Sequence, residues 1–262
     1  MFNRRDVIFL YDGSFYGLLT VVFECYYRHT LPFGIEENEN VQQQLFCEYE
    51  YIETDFQKAK RVEKSIAQKI SPHALHNIFY AHLSNMENKG TTILDYIRAG
   101  YKFGTALDNH LVLDCVNDVV NAAKAVGNEA HLLTGFIRFS KLKSGVYYAK
   151  ITPKNSVLSA IEHHFTERYR TMPFLIYDVN HHLCLAYNGE QSVIQSIDAM
   201  PHLELAEDEK EYQALWKCFF DTIEIKERHN EACQNTALPK RYRENMLEFD
   251  KTPIIHNKQI EG

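Results

Sequence analysis

The hydrophobic period of this chain changes twice along its length, and that change limits the folds open to it. Val7-Ile8-Phe9-Leu10-Tyr11 is a continuous apolar run followed by Asp12-Gly13-Ser14. That pattern predicts a buried strand, a turn and a helix start. Phe15, Leu18, Leu19, Val22, Phe23 and Tyr26 follow at helical spacing, and Pro32 sets a limit beyond which the helix cannot run. Residues 34–45 are polar and acidic and predict an exposed connection. Leu45 to Glu53 alternates with Phe46, Tyr49 and Tyr51 and predicts a second strand. From 56 to 133 the spacing is helical: Ala59, Val62, Ile66 and Ile70 mark one face, and Leu75, Ile78, Phe79 and Leu83 another. Gly90, Gly100, Gly104 and Gly127 are expected at helix ends.

Beyond 134 the period shortens to two. Gly135 to Ser140 and Val146 to Ile151 predict paired strands with Lys143-Ser144-Gly145 in the turn. Pro153-Lys154-Asn155-Ser156 predicts a cap for a helix carrying Leu158, Ile161 and Phe165. Phe174 to Asp178, Leu183 to Tyr187 and Val193 to Ile197 predict three more strands, the last two joined at Asn188-Gly189. A last helix over about 208–221 is expected to bury Tyr212, Leu215, Trp216 and Phe219.

Runs of strands flanking a run of helices predict an α+β fold with an antiparallel sheet and a central helical region. A chain of 262 residues, 45% hydrophobic and 24% charged, can bury a core as one large domain or as two small lobes. Residues 1–249 are expected to form the domain, its helical part at about 56–133 and its mainly β hairpin part at about 134–200. Residues 250–262 are expected to form a flexible tail. No segment has the long apolar core of a signal peptide or of a membrane span, so the expected compartment is the cytoplasm and no membrane partner is expected. The six cysteines stand singly in apolar segments, which predicts buried reduced thiols rather than a metal cluster. No G-x-G-x-x-G, P-loop or radical-SAM cysteine triplet is present, so no cofactor is expected in this chain.

The formal net charge of -7 argues against a duplex-DNA binder that works through bulk charge. Charge is uneven, however. Between Arg138 and Arg170 the basic residues are Arg138, Lys141, Lys143, Lys150, Lys154, Arg168 and Arg170, against the acids Glu162 and Glu167. Tyr147, Tyr148 and Tyr169 are interleaved with them, and basic groups among aromatic rings are what single-strand binding needs. The candidate nucleic-acid contacts are Arg138, Lys141, Lys143, Tyr147, Lys150, His164 and Arg168, with Lys240 and Arg241 in the basic tail segment that also holds Lys226 and Arg228. The same charges also describe a solvated face.

Three residues are candidates for acid–base work. Asp12 lies at a strand-to-helix junction, where a carboxylate can act as a base or simply cap the helix together with Ser14. Glu129 and His131 precede the expected strand of Arg138, and an acid, an imidazole and a guanidinium could there move a proton or clamp a phosphate. His163 and Glu167 have helical ligand spacing but lack the second histidine of a zinc helix, and no metal site is assigned.

A set of segments in fixed order carries a resemblance. They are Tyr11-Asp12-Gly13-Ser14-Phe15 with Gly17-Leu18-Leu19; Glu129-Ala130-His131 leading to Gly135-Phe136-Ile137-Arg138-Phe139; Tyr147-Tyr148-Ala149; His164-Phe165 with Arg168; Leu175-Ile176-Tyr177-Asp178; Tyr212 to Trp216; and Leu238-Pro239-Lys240-Arg241-Tyr242. In these the chain resembles a bacterial family of DNA-metabolism or DNA-repair proteins, a domain of unknown function. The family is associated with a radical-SAM protein similar to spore photoproduct lyase and is sometimes fused to a uracil-DNA-glycosylase-like domain. The resemblance implies a role in DNA repair or DNA metabolism and a radical-SAM partner. It implies no catalytic residues. Leu132 stands where the family typically has a basic residue after His131.

Three functions remain open at this level. One is a protein that binds damaged or single-stranded DNA and works with the radical-SAM partner. Another is an enzyme acting on a base or sugar-phosphate through Asp12, Glu129 and His131. The third is a protein-interaction scaffold, which would expose a large apolar patch. Whether the chain is an enzyme is not decided by these residues.

Overall fold

The computed structural model describes residues 3–4, 6–38, 47–201, 203–223 and 230–249. The expected tail at 250–262, Leu45 and Phe46 of the second expected strand, and Lys226 and Arg228 lie outside them. The chain divides into two compact units, Met1–Asn128 and Glu129–Gly262. The secondary structure is mixed α and β, and the sheets include parallel pairs. No described helix is long and apolar enough to cross a membrane.

In the first unit the short strands β1 (Asn3–Arg4) and β3 (Thr30–Leu31) pair in parallel. Strand β2 (Val7–Tyr11) is buried at all five positions, as its unbroken apolar run requires of a central parallel strand. It lies between β4 (Gly34–Glu37) and β5 (Glu48–Tyr51), both parallel to it. Helix α1 (Phe15–Tyr27) connects β2 toward β4. The expectation of an exposed connection from 34 is therefore corrected over Gly34–Glu37. Only Ile35 is buried there, so no alternation marks the strand, and pairing with β2 supplies its backbone partners. Helices α2 (Phe56–Lys69), α3 (Pro72–Leu83) and α4 (Lys89–Phe103) bury Val62, Ile66, Ile78, Ile93 and Ile97 in one core with Phe9, Leu18 and Leu19. Gly104 ends α4 as expected, whereas Gly100 lies inside it, packed so closely on Ile70 that a Cβ would collide.

Helix α5 (Asp114–Phe136) contains Gly127 in its interior and runs past the expected start of the next strand. Val126, Ala130, Leu133 and Ile137 are all buried, at intervals of three and four. The helical stripe thus continues through the segment whose local alternation imitates a strand. Ile137 N–H still bonds the Leu133 carbonyl at 3.1 Å. The strand expected over Gly135–Ser140 shrinks to β6 (Ser140–Lys141), and Arg138 is not a strand residue.

The second unit is built on a five-stranded sheet in the order β10-β9-β8-β7-β6. Strands β7 (Tyr147–Ile151), β8 (Phe174–Asp178), β9 (Leu183–Tyr187) and β10 (Ser192–Ser196) fall where the period of two placed them. The β6–β7 turn closes with Gly145 at φ 84°, and Asn188 side-chain oxygen accepts the Glu190 and Gln191 N–H groups in the β9–β10 loop. The sheet is nevertheless not purely antiparallel. Helix α6 (Leu158–Arg168) lies between β7 and β8 in the chain, and the crossover makes those two strands parallel. Val157 occupies the N-cap of α6 without a side-chain bond, because Asn155 is engaged elsewhere.

Helix α7 (Glu209–Ile223) leaves Tyr212, Leu215, Trp216 and Phe219 on the outside, 38–65% exposed, where burial was expected. Its amphipathic spacing is real, but the inward face is instead held by Gln213, which bonds Ser140 and Glu209, and by Phe220 against Phe249. Helices α8 (Glu231–Ala237) and α9 (Lys240–Arg243) complete the unit.

Candidate functional site

In the first unit, the C-terminal ends of β2 and β4 open into a crevice of about 600 Å³ lined by Tyr11, Glu36, Glu37, Ser84, Asn88 and Lys89. Open α/β sheets bind ligands at this end of their strands. Lys89 Nζ lies 2.8 Å from Glu37, and the Tyr11 hydroxyl donates to Glu37 at 3.4 Å. Burial by itself would raise the Glu37 carboxyl, but the Lys89 ammonium holds it below the usual range. Burial pushes the Tyr11 phenol far up, and Glu37 adds to the effect. His82 is 7% exposed, and its Nδ1 has no hydrogen-bond partner among the described residues. Burial, with Lys89 second, pushes its imidazole down to about 4, so it is neutral at pH 7.

Asp12, directly after Tyr11, accepts from Ser14 N–H (3.0 Å), Ser14 Oγ–H (2.7 Å) and Thr54 Oγ–H (2.8 Å). Burial opposes ionisation, and these bonds outweigh it and keep the carboxyl below its ordinary value. Ser14 itself caps α1 through Gly17 N–H at 2.9 Å. The two capping candidates at this junction thus work in series. Gly13 turns the chain at φ 77°, and Gly17 carries no Cβ because one would press on Asp12 Oδ1. Glu37, Lys89 and His82 were not among the sequence candidates, since they meet only through the parallel pairing of β4 and the packing of α3 and α4.

In the second unit, Arg138, Lys141, Tyr147, Arg168, Tyr169 and Trp216 line one cleft of about 740 Å³. Phe139, Asp208, Glu209, Tyr212 and Gln213 are also among its lining residues. Four of the candidate contacts, Arg138, Lys141, Tyr147 and Arg168, are thus brought together with Tyr169 and with two aromatic residues from α7. The cleft's cations are unequal, however. Arg138 is bound to Glu248, with Nη2 to Oε1 at 2.7 Å and Nε to Oε1 at 3.2 Å, and Nη1 donates to the Gly135 carbonyl at 2.8 Å. Its guanidinium lies over the Trp216 ring at 5.4 Å, and Trp216 Nε1–H donates to Glu248 Oε2 at 3.1 Å. Arg138 is therefore a support for the indole rather than a free phosphate clamp. Lys141 Nζ faces Asp208 at 3.3 Å. Arg168 is exposed and forms no ion pair among the described residues.

The remaining candidates do not line this cleft. Lys143 pairs with Glu204 at 2.7 Å. Lys150 projects from the opposite face of β7 to Tyr147, three residues away on a strand of period two. His164 is exposed on α6, with its ring edge-on to Phe165. Lys240 is exposed on α9, and Arg241 donates to the Tyr242 hydroxyl at 2.7 Å.

Glu129 and His131 are not brought together. They are two positions apart on α5, on different sides of the helix. His131 is exposed, whereas Glu129 is 2% exposed. Glu129 accepts Lys154 N–H (3.0 Å), Asn155 N–H (2.8 Å), Asn155 Nδ2–H (2.7 Å) and the Tyr242 hydroxyl (2.9 Å), with Arg241 at 3.5 Å. It ties α5, the loop before α6 and α9 to one another. Glu167 pairs with Arg170, and His181 with Asp178 at 2.7 Å. Among the described residues, no three His, Cys, Asp or Glu side chains gather as a metal site.

No curated protein and no solved structure matches the chain. One family does, over residues 87–248, which include the whole cleft of the second unit: the chain belongs to the family described as a domain of unknown function, DUF4130.

Proposed function

We propose that this protein binds single-stranded or damaged DNA through the cleft of its second unit, in DNA repair or metabolism. The resemblance described above adds a radical-SAM partner, similar to spore photoproduct lyase, that would supply the chemistry. The observation that carries the reading is the convergence of Tyr147, Tyr169 and Trp216 on one cleft with Arg168, which forms no ion pair among the described residues. Rings of this kind stack bases without regard to sequence, and a free guanidinium meets phosphate. The net charge of -7 fits this mode, because stacking rather than bulk charge holds the strand. Anisotropy of a labelled single-stranded oligonucleotide with the full chain tests it. Binding should weaken about tenfold in Arg168→Ala and in Trp216→Ala; no binding at low salt, alone or with the partner, rejects it.

A second reading rests on the first unit, where Asp12, Glu37, Lys89 and the neutral His82 lie near the ends of parallel strands. Such a set could perform proton transfer on a base or sugar-phosphate. Turnover of damaged oligonucleotides, lost in Asp12→Asn with the fold intact, would favour it.

A further inference from the structure

The cleft contains two arginines and a lysine, but two of these charges are already neutralised by carboxylates. Glu248 is 1% exposed on its side chain and holds Arg138, while Asp208 faces Lys141. A groove that tracks a phosphate backbone needs a row of free cations. Here Arg168 alone among the lining cations lacks a carboxylate partner among the described residues.

The aromatic side is better developed. Trp216 is fixed on one face by the Arg138 guanidinium at 5.4 Å and at its edge by Glu248 at 3.1 Å, yet 38% of the residue remains exposed. Its indole is thus oriented before any ligand arrives, which lowers the ordering cost of stacking. Tyr169, which also lines the cleft, packs on Phe139 at 5.0 Å and lies 6.5 Å from Tyr147, so it too has a rigid backing. Gln213 donates its amide to Ser140 and Glu209 at 3.1 and 3.0 Å, which turns it into a fixed group beside the indole.

We infer that this cleft takes one unstacked nucleotide, its base against Trp216 and its phosphate on Arg168, rather than a run of backbone. The inference rests on the DNA-binding reading of the same cleft and narrows it to a single-nucleotide pocket. Arg138 is then a positioning residue for the indole, and its charge does not enter the contact with phosphate.

The chain contains one tryptophan, so its emission reports on this cleft directly. The full protein is titrated with deoxyadenosine 5′-monophosphate, with deoxyadenosine and with inorganic phosphate, and separately with a single-stranded oligonucleotide followed by anisotropy. The expected result is quenching of Trp216 by the mononucleotide to about half, competition between mononucleotide and oligonucleotide, and no effect of phosphate alone. Arg168→Ala should weaken the mononucleotide about tenfold and leave the nucleoside unchanged. Trp216→Phe keeps an aromatic ring in place and guards against loss of fold; it should weaken oligonucleotide binding several-fold. Arg138→Lys should shift the tryptophan emission without ligand, which a phosphate contact would not do. Oligonucleotide binding with unchanged tryptophan emission and no competition overturns the single-nucleotide pocket and leaves DNA binding standing. Mononucleotide quenching without oligonucleotide binding does the reverse. Quenching by phosphate alone overturns the assignment of the base to Trp216.

Discussion

Glu129→Gln separates a structural from a catalytic carboxylate at the start of the second unit. The glutamine has the same shape, but all four close partners of Glu129 are donors: Lys154 N–H, Asn155 N–H, Asn155 Nδ2–H and the Tyr242 hydroxyl. The Tyr242 hydrogen is committed to Glu129, because its oxygen accepts from Arg241 at 2.7 Å. Each carboxylate oxygen serves two of the donors. An amide keeps one oxygen and turns an NH₂ toward the other two donors, so two bonds are lost whichever way it flips. A buried donor left without a partner costs about 1–3 kcal/mol, so the substitution should cost roughly 2–5 kcal/mol. Arg241 adds little, since its side chain is half exposed. Urea unfolding followed by the single tryptophan reads this directly, because Trp216 lies in the same unit and its indole N–H bonds Glu248. A loss of about 3 kcal/mol corresponds to a fall in melting midpoint of roughly 10 °C. Tyr242→Phe removes one of the four bonds and should cost about 1 kcal/mol. His131→Ala, at an exposed helix position, should stay within about 0.5 kcal/mol of the parent. A Glu129→Gln variant as stable as the parent would refute the reasoning and return Glu129 to the list of catalytic candidates.

Three further outcomes follow from the geometry. His82 titrates near 6.5 when unfolded and at about 4 when folded, so the unfolded chain binds the extra proton between those values. Stability is full above pH 6.5 and falls as the pH drops toward 4, by about 3 kcal/mol from this group; denaturant melts of His82→Gln against the parent across that window should show a shallower fall in the variant. Gly17→Ala sets a methyl against Asp12 Oδ1, which Ser14 holds, and should cost about 1–2 kcal/mol by thermal melting despite the better helix propensity of alanine. Oligonucleotide affinity should vary shallowly with salt, with a slope of about -1 in log–log form that approaches zero in Arg168→Ala; a slope steeper than about -4 would mean that cations outside the cleft carry the binding.

The sequence by itself determined most of the features set by neighbours a few residues apart, though not the α6 cap, which lies at Val157. Strands β2, β7, β8, β9 and β10, the turns at Gly145 and Asn188-Gly189, a cap at Asp12 or Ser14 and the helical stretch from 56 onward follow from period, propensity and turn chemistry. The segment at Gly135–Phe139 resembles a strand because its short alternation is local, while the stripe of Val126, Ala130, Leu133 and Ile137 that keeps it helical as far as Phe136 spans three turns. Strand pairing was beyond the pattern for the same reason: β7 and β8 look alike whether parallel or antiparallel, and the return path of the chain through α6 decides. The tertiary structure alone decided which charges are free. Arg138 and Glu248 are 110 residues apart, and nothing near either in the chain announces the other. Their contact turns a candidate phosphate ligand into the backing of a tryptophan, because an ion pair forms wherever packing brings opposite charges together, at any separation along the chain.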